Sequence, residues 1–163
     1  MPTAVIDCPR GPSAEAFLGL MRTWRSRLVF MANASEHDKR MALVQSLTHA
    51  TVLAFGMALK SLGYRLEDVR EMMTPPHSLL VMVLARLIDA GPDVYWDIQT
   101  ENPYAADVRA QLLESLTRFD ESVNRCEPDE FAQMFREIED CLQPSIAELA
   151  SACNAVIELH GHS

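Results

Sequence analysis

Between residues 41 and 59 the apolar side chains of Met41, Val44, Leu47, Val52, Phe55 and Leu59 recur close to every 3.6 positions. That recurrence makes an amphipathic helix. Asn33 or Ser35 can cap its start, and Gly63 stands just beyond its expected end at Leu62. The whole chain after residue 34 reads as helix. A short one is expected over residues 66–73. Pro75 and Pro76 sit where the next begins, and Gly91-Pro92 ends it near Ala90. Its stretch 78–84 is apolar nearly all round, so this helix is expected to be central and buried. Residues 93–100, 104–125 and 128–159 follow, with Pro144 as the kink or break of the last.

The first 33 residues read differently. Residues 3–8 read as a short strand, broken by Pro9, Gly11 and Pro12. Ser13 can cap a helix over residues 14–25, with Phe17, Leu18, Leu20, Met21 and Trp24 on its apolar side. A second strand is expected over residues 27–31. Such β-α-β units normally pair their strands in parallel. Two strands are too few to stand alone, so they must lean on the rest of the chain or on a partner. The expected organisation is a β-α-β segment, 1–33, before a helical domain, 34–163. The fold class is mainly α.

A chain of 163 residues with 48% apolar composition can bury one core. No apolar run reaches the roughly 18 residues of a membrane span. The stretch 78–85 is the longest. Asp7 and Pro9 stand where a signal peptide would carry basic and then apolar residues, so a cytoplasmic protein is expected. Fourteen basic residues face 23 acidic ones, for a net charge of −9. That balance excludes non-specific binding to nucleic acid or to an anionic membrane, since both are polyanions. Small molecules and protein partners remain. The four cysteines, Cys8, Cys126, Cys141 and Cys153, show no C-x-x-C spacing and are expected to be buried free thiols.

The six glycines are scattered and form neither G-x-G-x-x-G nor a P-loop. No bound cofactor is expected of these residues. There is no H-E-x-x-H and no E-x-x-H pair, so no metal site is expected either. His160 and His162 could chelate weakly, or simply belong to a frayed polar end. Glu36 and Asp38 flank His37 at a helix start, where acidic residues complement the helix dipole. His49 lies mid-helix, twelve residues on, which is about 18 Å along the axis. Arg86 is the one charge between residues 78 and 88. On a buried helix it needs a carboxylate, either Asp89 or Asp97 in a structural pair or the carboxylate of a ligand. Tyr95 and Trp96 read as core aromatics.

The run from Glu36 to His49 (EHDKRMALVQSLTH) resembles the opening of the helical C-terminal domain of prephenate dehydrogenases. The likeness continues through Pro75-Pro76 and Leu84-Ala85-Arg86-Leu87 to Tyr95-Trp96-Asp97-Ile98 and Asn102-Pro103. It is specific over residues 36–103 and fades to a shared helical pattern beyond. The preceding segment is similar to the last strand-helix-strand of that family's dinucleotide-binding domain, whose glycine-rich turn and catalytic histidine are not among these residues. The resemblance implies an intertwined homodimer and a wall of a prephenate site. It implies that Arg86 holds a substrate carboxylate, that His37 and His49 stand near the site, and that Tyr95 lines it, with Gln45 of the same segment. Many members carry Tyr-Arg after the Ser-Pro or Pro-Pro turn, where this chain has His77-Ser78. That departure suggests a related acid, or a rebuilt pocket with His77 in a new role.

These expectations leave three functions open. One is a non-redox decarboxylation or dehydration of prephenate or a related cyclohexadienyl acid, with His49 or His37 as general acid, Arg86 as anchor and Tyr95 orienting the ring. The second is an accessory subunit that binds such a ligand or pairs with a separate NAD-binding protein. The third is a dimeric scaffold with a relic pocket.

Overall fold

The computed structural model of the chain describes residues 2–6 and 11–160, with nothing described of the His160 side chain. Strand β1 (Pro2–Ile6) pairs in parallel with β2 (Arg27–Met31), with Ala4 opposite Val29 at the centre. Helix α1 (Pro12–Thr23) makes the crossover between them. It starts earlier than expected. Pro12 takes the first helical position and Gly11 the cap, and no side chain caps the end, so Ser13 lies inside the helix. The ring of Pro12 already holds a helical φ, which makes that start inexpensive. The expected strand residues Asp7 and Cys8, and the expected break at Pro9, lie outside the described residues.

Helix α2 (Ala34–Met41) begins at Asn33, whose side chain accepts a hydrogen bond from the Glu36 N–H at 2.9 Å. The Glu36 carboxylate reaches back to the Ala32 N–H at 2.8 Å. The two bonds satisfy opposite ends of the same first turn, as in a capping box. That bond and the nearby Arg40 guanidinium hold the Glu36 carboxyl below the usual carboxylate range.

The helical run does not stay α-helical. Residues Ala42–Leu47 form a π-turn, and α3 (Thr48–Ser61) resumes the α-helix. The sequence pattern does not foretell the π-turn, because the apolar spacing is tolerant by about one position. Gly63 ends the helix with φ of +70°, a left-handed conformation that suits glycine. The stretch Ala34–Ser61 is long and apolar enough, by length and composition, to cross a membrane. Averaging over its polar residues brings this out where counting unbroken apolar runs does not. The core helix of a soluble protein passes the same test.

Next come α4 (Leu66–Val69) with a 3-10 turn over Arg70–Met72, α5 (Pro75–Asp89) and α6 (Pro92–Thr100). Helices α7 (Ala105–Asn124), α8 (Pro128–Leu142) and α9 (Ile146–His160) complete a mainly helical chain. The break expected at Pro144 lies between α8 and α9, after a cis Gln143–Pro144 bond.

The chain groups into two compact units. One holds the residues up to Ala50 together with Pro92–Arg109, and the other Thr51–Gly91 together with the residues from Ala110 on. In the first, α1 and α2 pack on the strands and α6 packs on the π-turn. Ala42, Ser46 and Ala105 are its buried residues. In the second, the buried residues are Val52, Leu87 and Ser122. Here α3 approaches α5 closely, so that a Cβ on Gly56 would lie 2.8 Å from Leu84 Cδ1. Helices α7 and α8 meet through Phe119 and Phe131, ring centroids 6.0 Å apart, and through Arg118 on α7. Arg118 lies 2.7 Å from both Glu130 and Glu137 of α8.

Six buried residues are few among those described, and three expectations fail for that reason. Helix α5 is not buried, since of its 15 residues Leu87 alone is. Trp96 is 69% exposed, so it is not a core aromatic, and Trp24 is 67% exposed on α1. Cys126, Cys141 and Cys153 are free thiols but exposed ones, and Cys8 lies outside the described residues. The apolar faces are present as read. Within each unit, however, the packed helices leave most of these faces, among the described residues, only half-covered.

Candidate functional site

The most ordered polar constellation lies in the first unit, where the helical run from Ala34 to Ala50 faces the segment from Tyr95 to Tyr104. Four contacts join them in antiparallel order. The Ser35 hydroxyl lies 2.7 Å from the Tyr104 hydroxyl. Asn102 Nδ2 donates to the Asp38 carbonyl at 2.8 Å. Gln99 Nε2 donates to the Ser46 carbonyl at 2.8 Å. His49 meets Tyr95 edge to face, with centroids 4.9 Å apart and planes at 81°. As residue numbers rise on one side they fall on the other, so the two stretches run in opposite senses.

Asn102 does double duty, since its Oδ1 accepts from the Tyr104 N–H at 2.9 Å while its amide binds the helix. Pro103 follows it and cannot donate, which leaves the turn to this side chain. At the other end His49 carries the chemistry. Its Nδ1 is buried and has no hydrogen-bond partner among the described residues. Burial lowers its pKa from the ordinary histidine value. Desolvation disfavours the imidazolium, so the ring stands neutral at physiological pH. A neutral, part-buried imidazole beside a phenol ring can donate or accept a hydrogen bond from a ligand.

The other expected site residues are placed as follows. His37 stands three turns before His49, with Nδ1 3.0 Å from Asp38 Oδ1. Gln45 is exposed in the π-turn, and its side chain has no hydrogen bond among the described residues. Its neighbour Ser46 is the buried one. In the second unit, His77 Nε2 lies 3.0 Å from the Tyr64 hydroxyl, and its ring packs against Phe55 at 5.8 Å. Arg86 lies on the same helix as His77. Nine residues place the two on opposite faces of α5, about 13 Å apart along it. Arg86 is exposed, and among the described residues it makes no ion pair, with Asp89, Asp97 or any other carboxylate. The expectation of a buried charge is therefore corrected, and the guanidinium is free.

So the structure joins His49 to Tyr95 and adds Ser46, Gln99 and Asn102, which sequence reasoning passed over. Asn102 was visible as part of an Asn-Pro pair. Gln99 and Ser46 carried no signal, because a polar residue on a helix shows its role only when its partner is known. Two hollows, one lined by Ser122, Val123, Cys126 and Phe131 and one by Leu113, Thr117 and Arg118, contain none of the six expected residues. Among the described residues no group of three or more His, Cys, Asp or Glu side chains could hold a metal ion.

A 4-amino-4-deoxyprephenate dehydrogenase of Streptomyces pristinaespiralis is 37% identical over 152 residues, covering 93% of this chain and 51% of that protein. A probable arogenate/prephenate dehydrogenase of Methanocaldococcus jannaschii is 27% identical over 67% of this chain and 24% of its own length. A T-protein of Enterobacter agglomerans is 32% identical over 55% of this chain and 24% of its own. The chain thus spans between about a quarter and a half of these curated relatives. No solved structure matches it. The family described as prephenate dehydrogenase, dimerization domain, matches residues 33–137, from the Asn33 cap through most of α8, and the chain belongs to that family.

Proposed function

We propose that this chain forms the dimer core and one wall of the binding site for an acid of the prephenate type, with prephenate and 4-amino-4-deoxyprephenate as the candidate ligands. The buried, unpartnered Nδ1 of His49 against Tyr95 carries this reading. A buried polar atom without a partner costs about 1–3 kcal/mol, which a ligand hydrogen bond offsets. Tyr95 would orient the ring of the ligand; Arg86, which belongs to the other unit, is a separate candidate for a carboxylate, supported by the family resemblance and by its lack of an ion pair among the described residues. Gln45 and His77 are secondary candidates for contact with the ligand.

The exposed apolar faces support a homodimer. Leu116 is 60% exposed on α7 and Phe135 62% on α8, with Leu113, Val123 and Ile138 beside them. Apolar area of this extent calls for a partner surface. A second copy of a dimerization-family chain supplies one. On this reading residues 34–163 are the dimerising, ligand-binding domain and 1–33 the last strand-helix-strand of a dinucleotide-binding domain. The helix Ala34–Ser61 then lies inside a cytoplasmic dimer.

We infer that the NAD a dehydrogenase reaction would need is not held by the described residues alone. Gly11, between β1 and α1, is followed by Pro12, which removes one of the N–H groups a pyrophosphate would meet at that helix end. Among the described residues, a Cβ on Gly11 or Gly19 would meet nothing within 4 Å. A redox reaction at this site needs a nicotinamide held by residues other than these, on a separate NAD-binding protein for example. A second reading keeps the chemistry on this chain, as decarboxylation or dehydration without NAD. Burial disfavours His49 as the proton donor of that reaction and leaves His37, beside Asp38, as its acid.

The test is a thermal-shift titration with each acid, with turnover followed by ultraviolet spectrum and product mass, with and without NAD. His49→Asn and Arg86→Ala run alongside. Stabilisation of the wild type that weakens in both variants supports the binding wall. Turnover without NAD would establish the non-redox reading. Neither binding nor turnover with either acid would overturn the proposal.

A further inference from the structure

The π-turn Ala42–Leu47 stands directly before His49. A π-turn accommodates one more residue than the α-helix, so its loss would rotate everything after it by about 100° about the axis. His49 would then turn away from Tyr95. A π-turn is rare in itself and needs to be held from outside. The hold is visible. Ser46, inside the π-turn, has 0% exposure, and its hydroxyl donates to the Ile98 carbonyl at 3.1 Å. Gln99 Nε2 donates to the Ser46 carbonyl at 2.8 Å. Arg109 Nη1 donates to the Gln99 carbonyl at 3.0 Å and to Gln99 Oε1 at 2.8 Å. A guanidinium can only donate, so it fixes Oε1 toward itself and Nε2 toward Ser46.

We propose that Gln99 and Arg109 form a clamp that keeps the π-turn in place and thereby positions His49 against Tyr95. Gln99 and Tyr95 are four residues apart on α6, and so share one face of it. Ser46 and His49 are three apart on the facing helix. The clamp and the ring contact are therefore neighbouring rungs of one helix pair. Both act through Ser46 and the π-turn, and are positioning residues. The inference rests on the reading of His49 as part of the binding wall.

The experiment compares wild type, Gln99→Met and Arg109→Met by NMR, reading the nuclear Overhauser contact between the His49 and Tyr95 rings without ligand. Prephenate affinity is read on the same samples. The expected result is loss of the ring contact in both variants at unchanged helix content, with binding about tenfold weaker. A purely structural role would lower the unfolding temperature and leave the ring contact intact. Either folded variant that keeps the wild-type ring contact overturns the clamp. Should Gln99→Met not fold, Arg109→Met decides alone, since Arg109 is exposed. Failure of the wild type to bind prephenate would count against the binding wall only, because the ring contact is measured without ligand.

Discussion

His49 and Tyr95 meet edge to face at 4.9 Å, and burial of the imidazole lowers its pKa from the ordinary histidine value. The pKa of His49 is lower in the folded chain than in the unfolded one, where it lies near about 6.5. Above that value both states are neutral and the fold keeps its full stability. As pH falls below it, the unfolded chain takes up the proton first, and stability is lost. Unfolding midpoints measured between pH 8 and 5 should drop on the acid side, and less so in His49→Asn. Equal slopes for the two proteins would show that His49 is not desolvated.

Arg86 carries no structural ion pair among the described residues. Arg86→Ala should therefore leave the unfolding free energy within about 0.5 kcal/mol of wild type. A loss of several kcal/mol in denaturant titration would place the guanidinium in a buried pair after all.

Gly56 faces Leu84 so closely that any added side chain must displace the Leu84 methyls. Gly56→Val should cost about 2 kcal/mol by overpacking. The double variant with Leu84→Ala should be less destabilised than the sum of the two single changes, since each relieves the other. Strict additivity would mean that α3 and α5 do not approach at this point.

Arg118 bridges Glu130 and Glu137, and it holds the Glu137 carboxyl below the usual carboxylate range. That contribution is present above the ordinary carboxylate pKa and is lost as pH falls through the lowered one. All three groups are partly exposed, so the effect should be small and screened by salt. Glu137→Gln should flatten the acid limb of stability at low ionic strength and do little in high salt. A salt-independent loss would point to packing of the side chain.

Leu116→Glu combined with Phe135→Glu puts charges on the exposed α7–α8 face. Sedimentation should show the wild type as a dimer and this variant shifted toward monomer. A wild type that sediments as a monomer of 18.3 kDa at micromolar concentration would refute the homodimer.

Much of the fold was legible in particular residues. Asn33 caps α2, Gly63 and Gly91 end their helices at positive φ, and Pro75 and Pro92 begin new ones. These are local events, decided within a turn of the residue concerned. The parallel pairing of residues 2–6 with 27–31 followed from the crossover helix between them. Of the candidate site, the resemblance pointed to His49 and Tyr95. Their contact was not legible, and neither were Ser46 and Gln99, whose roles lie in a pairing across some fifty residues of chain.

The amino-acid sequence by itself determined where helices start and stop and which faces are apolar, because capping, proline geometry and 3.6-residue periodicity act over short range. It could not determine which of those faces find cover. The run 78–84 looks the same whether it is fully overlaid or, as here, left half-buried. The tertiary structure alone decided that, and with it the freedom of Arg86, the burial of His49 and the π-turn that aims it. Each depends on what a distant segment places opposite it, and burial, desolvation and hydrogen bonding take their strength from that neighbour.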